Sequence, residues 1–104
     1  MASYRTRIAL RAQKDMRDIA AYIIRELLQP EAALSTIYRL SQGIASLAEM
    51  PERFALVSDD RLARRGIRKL GVDRYLIFFT IHEENAEVNV LAVLHARRDW
   101  QNIL

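Results

Sequence analysis

The apolar pattern of this chain predicts a small α+β domain with the element order β-α-α-β-β-β. A helix hairpin should pack on one face of a mainly antiparallel sheet, and a short helical turn should close the C-terminus. Three observations carry that prediction. Apolar residues recur at intervals of three and four from Met16 to Leu47. Apolar runs separated by turn residues fill the stretch from Gly66 to His95. Only three glycines and two prolines interrupt 104 residues, which leaves little room for long irregular loops. A chain of this length should form one domain over residues 1–104, with a modest core and no separate cofactor domain.

Tyr4, Thr6, Ile8 and Leu10 alternate with polar neighbours and predict a first strand. Met16, Ile19, Ala20, Ile23, Ile24, Leu27 and Leu28 then form a helical stripe, with Arg17, Asp18, Arg25 and Glu26 outside it. Pro30 ends this helix and opens the next, because proline suits a first helical turn and breaks an interior. The second helix should bury Ala33, Leu34, Ile37, Leu40, Ile44 and Leu47, and it should stop before Pro51. So short a link between the two helices predicts an antiparallel hairpin. Residues 51–65 have no clean period and read as a loop with one helical turn. Three strands follow, over Gly66–Leu70, Tyr75–His82 and Glu87–His95, with turns at Gly71–Arg74 and Glu83–Ala86. In the last strand Val88, Val90, Ala92 and Leu94 should share one face, and Leu91, Val93 and His95 the other. The sheet face away from the helices should be concave and should hold the remaining polar groups. Trp100 is expected to anchor the C-terminal turn against the sheet, and His82 to be structural.

Apolar residues make up 51% of the chain and charged residues 28%, which excludes a disordered chain. No apolar run reaches the roughly 18–20 residues of a membrane span. Met1-Ala-Ser-Tyr-Arg-Thr-Arg7 lacks the apolar core of a secretory signal, so a cytoplasmic protein without membrane attachment is expected. Without cysteine there is neither a disulfide framework nor a thiolate zinc site. Two histidines alone do not readily build a zinc site, and no glycine-rich phosphate loop follows a strand. No metal or organic cofactor is therefore expected. The net charge is only +3, but basic residues concentrate late in the chain. Arg61, Arg64, Arg65, Arg68, Lys69, Arg74, Arg97 and Arg98 face only Asp73, Glu83, Glu84 and Glu87 over that stretch. Such a cluster attracts phosphate or an acidic protein segment, and its plain alternative is a solvated face.

Ala12-Gln-Lys-Asp-Met-Arg-Asp-Ile-Ala-Ala-Tyr-Ile23, Met50-Pro-Glu-Arg53, Gly66-Ile-Arg-Lys-Leu70, Arg74-Tyr-Leu-Ile-Phe-Phe79 and Val93-Leu-His-Ala-Arg-Arg-Asp-Trp100 occur in the predicted element order. In that order and spacing they resemble the RelE/ParE family of bacterial toxins along essentially the whole chain. The resemblance implies the toxin half of a type II toxin–antitoxin pair, the class associated with plasmid stabilization, neutralised by a cognate antitoxin protein. RelE-like members cleave mRNA in the ribosomal A site, whereas ParE-like members poison DNA gyrase without enzymatic activity. One scaffold with two mechanisms leaves the target open.

Metal-free RNA cleavage needs a group to take the 2′-hydroxyl proton, cations to stabilise the phosphorane, and an acid for the leaving oxygen. The residues in the matching part of the chain are His95, Arg97, Arg68, Arg74 and Tyr75 as catalytic candidates, and Lys69, Arg98, Arg64 and Arg65 as RNA or target contacts. Each has a plainer role available. His95 can simply hydrogen-bond at a strand end, Tyr75 can pack or stack on a base, and the two terminal arginines can pair with Asp99. Arg68 and Lys69 alternate on a strand, so only one of them faces the concave side. RelE-like nucleases commonly carry an arginine after the tyrosine of the Arg74-Tyr75-Leu76 motif, and here that residue is Leu76. The expected activity is ribosome-dependent mRNA cleavage, an endoribonuclease that inhibits translation, with the ribosome and mRNA as partners. Gyrase inhibition is the alternative, and a small basic RNA- or protein-binding module is a third reading. An acidic, amphipathic antitoxin segment is expected to cover the hairpin's outer surface and the basic face.

Overall fold

The computed structural model describes residues 3–104. Strand β1 (Arg5–Ile8) leads into helix α1 (Leu10–Arg25), which is followed by helix α2 (Pro30–Ser46), a 3-10 turn at Pro51–Arg53 and the short helix α3 (Asp60–Arg64). Strands β2 (Arg68–Val72), β3 (Tyr75–His82) and β4 (Glu87–His95) come next, and helix α4 (Trp100–Ile103) closes the chain. The sheet order is β1-β4-β3-β2, with β1 parallel to β4 and the remaining pairs antiparallel. The α+β class and the element order are as the sequence predicts. Leu10 opens α1 and is not the end of β1.

The helix hairpin packs Ala12, Leu40, Ile44 and Leu47 against Ile77, Phe79, Val88, Val90 and Val93 on one sheet face. Its burial departs from the predicted stripe. Leu34 is 74% exposed and Leu28 79%, and Ile24 and Leu27 are also exposed. The buried face of α2 is centred on Ala33, Thr36, Leu40 and Ile44, so Leu34 is rotated out of it beside Tyr38. Helix α1 ends at Arg25, before Leu27 and Leu28, and Leu28 turns the chain with φ 54°.

The opposite sheet face is not the open polar concavity that was expected. Val57, Leu62, Ile67 and Trp100 pack there on Phe78, Ala92 and Leu94 as a second core. Helix α3 forms because the Asp59 carboxylate accepts the Leu62 backbone N–H at 3.1 Å, a side-chain cap that no other helix among the described residues has. Trp100 anchors α4 as expected, with its ring 5.3 Å from that of Phe78.

Strand β2 begins two residues later than predicted. Gly66, at φ 79°, terminates α3 in a left-handed conformation and cannot start a strand. Gly71 lies inside β2 opposite Leu76, and the hairpin turns at Asp73 and Arg74, with Asp73 at φ 55° and salt-bridged to Arg39. In β4 the register jumps from Phe78↔Ala92 to Phe79↔Val90, leaving Leu91 as an extra residue. That bulge reverses the expected alternation beyond it: Val88, Val90 and Val93 face the hairpin, and Ala92 and Leu94 face Trp100.

Candidate functional site

β1 pairs with β4 only from Glu87 to Val90, so the second half of β4 presents an open edge toward α1. The carboxylate of Asp15 closes part of that edge by accepting the Val93 backbone N–H at 2.9 Å, while Arg11 Nε donates to its other oxygen at 3.0 Å. Beyond this tie, α1 and the strand ends enclose a cleft of about 520 Å³. Asp15, Asp18, Ile19 and Tyr22 of α1, with Leu27 just beyond its end, form the helical wall, and Arg74, Tyr75, Val93, Leu94, His95 and Arg98 form the strand wall.

Register places Tyr75 directly opposite His95, and their rings meet edge to face at 5.5 Å. Two backbone bonds set the strand end: Ala96 N donates to Arg74 O at 2.8 Å, and Arg98 N donates to His95 O at 2.9 Å. The backbone N–H of Arg97 donates to His95 Nδ1 at 3.1 Å. A backbone N–H can only donate, so this bond selects, for a neutral ring, the tautomer with its proton on Nε2. Burial raises the Tyr75 phenol above its usual 10.0, and Tyr22 and Asp73 add to the shift against the opposing effect of Arg74. The phenol therefore stays a donor at neutral pH. Among the described residues, the Arg74 and Arg98 guanidiniums have no hydrogen-bond or ion-pair partner, whereas Asp15 is tied to Arg11 and Asp18 to Lys14 at 2.7 Å. The salt bridge to Lys14 also holds the Asp18 carboxyl below its usual range.

The predicted site residues therefore divide. Arg74, Tyr75, His95 and Arg98 converge on the cleft. Arg68 does not: it sits opposite Phe79, four residues along β3 from Tyr75, a separation of about 13 Å along the strand. Its guanidinium donates to the carbonyls of Phe54 (2.6 Å) and Glu52 (3.3 Å). Lys69 points to the other sheet face, with Nζ 5.5 Å from the Trp100 ring centre. Arg65 donates to Leu104 O at 2.9 Å and fastens the C-terminal tail; Arg64 and Arg97 are exposed, outside the cleft. Leu76, which follows Tyr75 on β3, packs at the edge of the second core. His82 bonds Thr80 Oγ1 through Nε2 at 3.1 Å, the structural role expected of it. Asp15, Asp18 and Tyr22 were missed from sequence. Their spacing of three and four puts them on one helical face beside the apolar stripe, and that was the available signal. Among the described residues no cluster of three or more potential metal ligands occurs.

A four-stranded mixed sheet carrying a helix hairpin on one face and a short C-terminal helix on the other is the fold of RelE/ParE toxins. A double mutant of the E. coli toxin RelE in the free state superposes with a TM-score of 0.64 at 17% identity, covering 98% of this chain and 99% of that chain. A structure of the chromosomal ParDE system from P. aeruginosa gives 0.74 at 16% identity, covering 91% of this chain and 98% of the other. The chain belongs to the ParE toxin family of type II toxin–antitoxin systems, the parDE type, whose family model matches residues 6–100. It is 30% identical over 104 residues, the full length of both chains, to the candidate toxin Y4kP of Sinorhizobium fredii strain NBRC 101917 / NGR234.

Proposed function

We propose that this toxin acts as a ParE-like poison of DNA gyrase in the cytoplasm, by binding its target and without cutting RNA, and that a cognate antitoxin neutralises it. The observation that carries this reading is the dispersal of the groups that cleavage would need. Arg68 caps loop carbonyls about 13 Å along the sheet from the Tyr75–His95 pair. Leu76 packs at the edge of the second core, and Nδ1 of His95 accepts the Arg97 N–H, which engages the ring lone pair and disfavours His95 as the base for the 2′-hydroxyl proton. The sequence alone favours a nuclease on the strength of His95 among arginines, and the dispersal of these groups supports the gyrase reading instead. The match to the ParE family model supports the same choice.

The test is to express the toxin alone and follow transcripts alongside gyrase supercoiling in vitro. Intact mRNA, double-strand breaks and blocked supercoiling are expected, with toxicity surviving His95→Ala. Cuts confined to translated transcripts, with gyrase unaffected, would reject the proposal. That outcome belongs to the second reading, ribosome-dependent cleavage, which the convergence of Tyr75, His95, Arg74 and Arg98 on one cleft favours. In that case His95→Ala would lower the cleavage rate about 10²- to 10³-fold.

For the antitoxin, the exposed apolar surface of the hairpin (Tyr22, Leu27, Leu28, Leu34 and Tyr38) supports docking of an amphipathic segment. Co-expression of the neighbouring gene should restore growth, and Leu34→Asp with Tyr38→Asp should weaken that rescue.

A further inference from the structure

We infer that the cleft between α1 and the ends of β3 and β4 is a binding site for a nucleotide, with the phosphate on the strand wall and the base on the helical wall. The polar side chains of the strand wall, Arg74, Tyr75, His95 and Arg98, can all donate hydrogen bonds. Among the described residues the Arg74 and Arg98 guanidiniums have no partner, Tyr75 offers a phenol O–H, and the Arg97 N–H bond to Nδ1 makes Nε2 of a neutral His95 a donor. Two cations and two neutral donors along one wall match the several acceptor oxygens of a phosphate.

The helical wall has the opposite character. Tyr22, 55% exposed, stands beside Ile19 and Leu27 and offers an aromatic face to a base, a contact tolerant of base identity. The Asp18 salt bridge to Lys14 runs through Oδ2, which leaves Oδ1 to accept an exocyclic amino group. A volume of about 520 Å³ lies in the range that holds small organic ligands and exceeds what a bare phosphate needs. The site does not depend on the gyrase reading, and no step of chemistry is attached to it. The same phosphate-plus-base chemistry can come from a free nucleotide or from one unit of a single strand.

The probes are AMP, adenosine, inorganic phosphate and a trinucleotide, titrated into the full chain and followed by backbone amide NMR. AMP is expected to shift the amides of Tyr22, Tyr75, His95 and Arg98 together. Adenosine and phosphate should each bind at least about tenfold more weakly, because each engages one wall. Arg74→Ala combined with Arg98→Ala, both at exposed positions, should lower AMP affinity about tenfold or more without shifting the melting temperature. His95→Gln, which keeps a donor near the Nε2 position, should bind better than His95→Ala. A trinucleotide binding more tightly than AMP assigns the site to a strand, and equal binding assigns it to a free nucleotide. AMP leaving the cleft amides unmoved, phosphate binding as tightly as AMP, or the double arginine variant binding normally would each overturn the inference.

Discussion

Replacing Asp15 by alanine tests how the open half of β4 is held. The carboxylate is 11% exposed and spans 78 residues of sequence to accept the N–H of Val93, a residue that is itself 1% exposed. No other strand reaches that position from the α1 side, because β1 stops pairing at Val90. Asp15→Ala leaves a buried backbone donor without its partner and removes a bond to a charged acceptor. The first loss costs about 1–3 kcal/mol and the second about 1.5–3, and the burial of both groups puts the cost toward the upper end, about 2–3 kcal/mol. The ion pair to Arg11 adds little, since Arg11 is 45% exposed and solvent screens it. A loss of this size should lower the melting temperature by roughly 8–15 °C in a domain this small. Asp15→Asn keeps an acceptor for Val93 and should cost only about 1 kcal/mol or less. Urea denaturation gives the stabilities, and hydrogen exchange should show the Val93 amide losing protection more than that of Ile77 on β3. Arg11→Ala isolates the ion pair. A stability of Asp15→Ala within about 0.5 kcal/mol of the parent, with Val93 still protected, would refute the argument that this carboxylate holds the strand edge.

Trp100→Ala should destabilise the chain by about 3–5 kcal/mol, since a side chain only 7% exposed fills the second core against Phe78; Trp100→Phe should cost less, both read by chemical denaturation. Gly43→Leu should cost about 1–3 kcal/mol by the same measurement, because a Cβ at Gly43 would already stand 2.9 Å from Val72 Cγ2 and 3.3 Å from Ile77 Cδ1. The Tyr75 phenol has a folded value raised by burial, so its contribution to stability is complete below pH 10.0 and is lost as pH rises through the higher folded value. Stability measured against pH should fall less steeply above pH 10 in Tyr75→Phe than in the parent, and identical slopes would count against this assignment.

Most of the fold was legible in the residues. The three- and four-residue period of α1 and α2, the proline at the head of α2 and the apolar runs of β3 and β4 are local signals, and local signals survive folding when they agree with burial. The same holds for the grouping of Tyr75 with His95, which needs only two hairpin-linked strands in register. What the sequence could not decide depends on neighbours distant along the chain. Leu34 carries a core residue's chemistry and is exposed, because the rotation of α2 is chosen by the whole sheet beneath it. A single extra residue at Leu91 reverses the faces of the strand beyond it, and one bulge leaves no mark on composition. Arg68 belongs to a basic motif that reads as part of the site, yet the carbonyls of Glu52 and Phe54 lie nearer to it than His95 does. The helical wall of the cleft joins the strand wall only when α1 closes over the unpaired edge of β4. Residues 15–22 and 74–98 therefore share a site through tertiary packing alone.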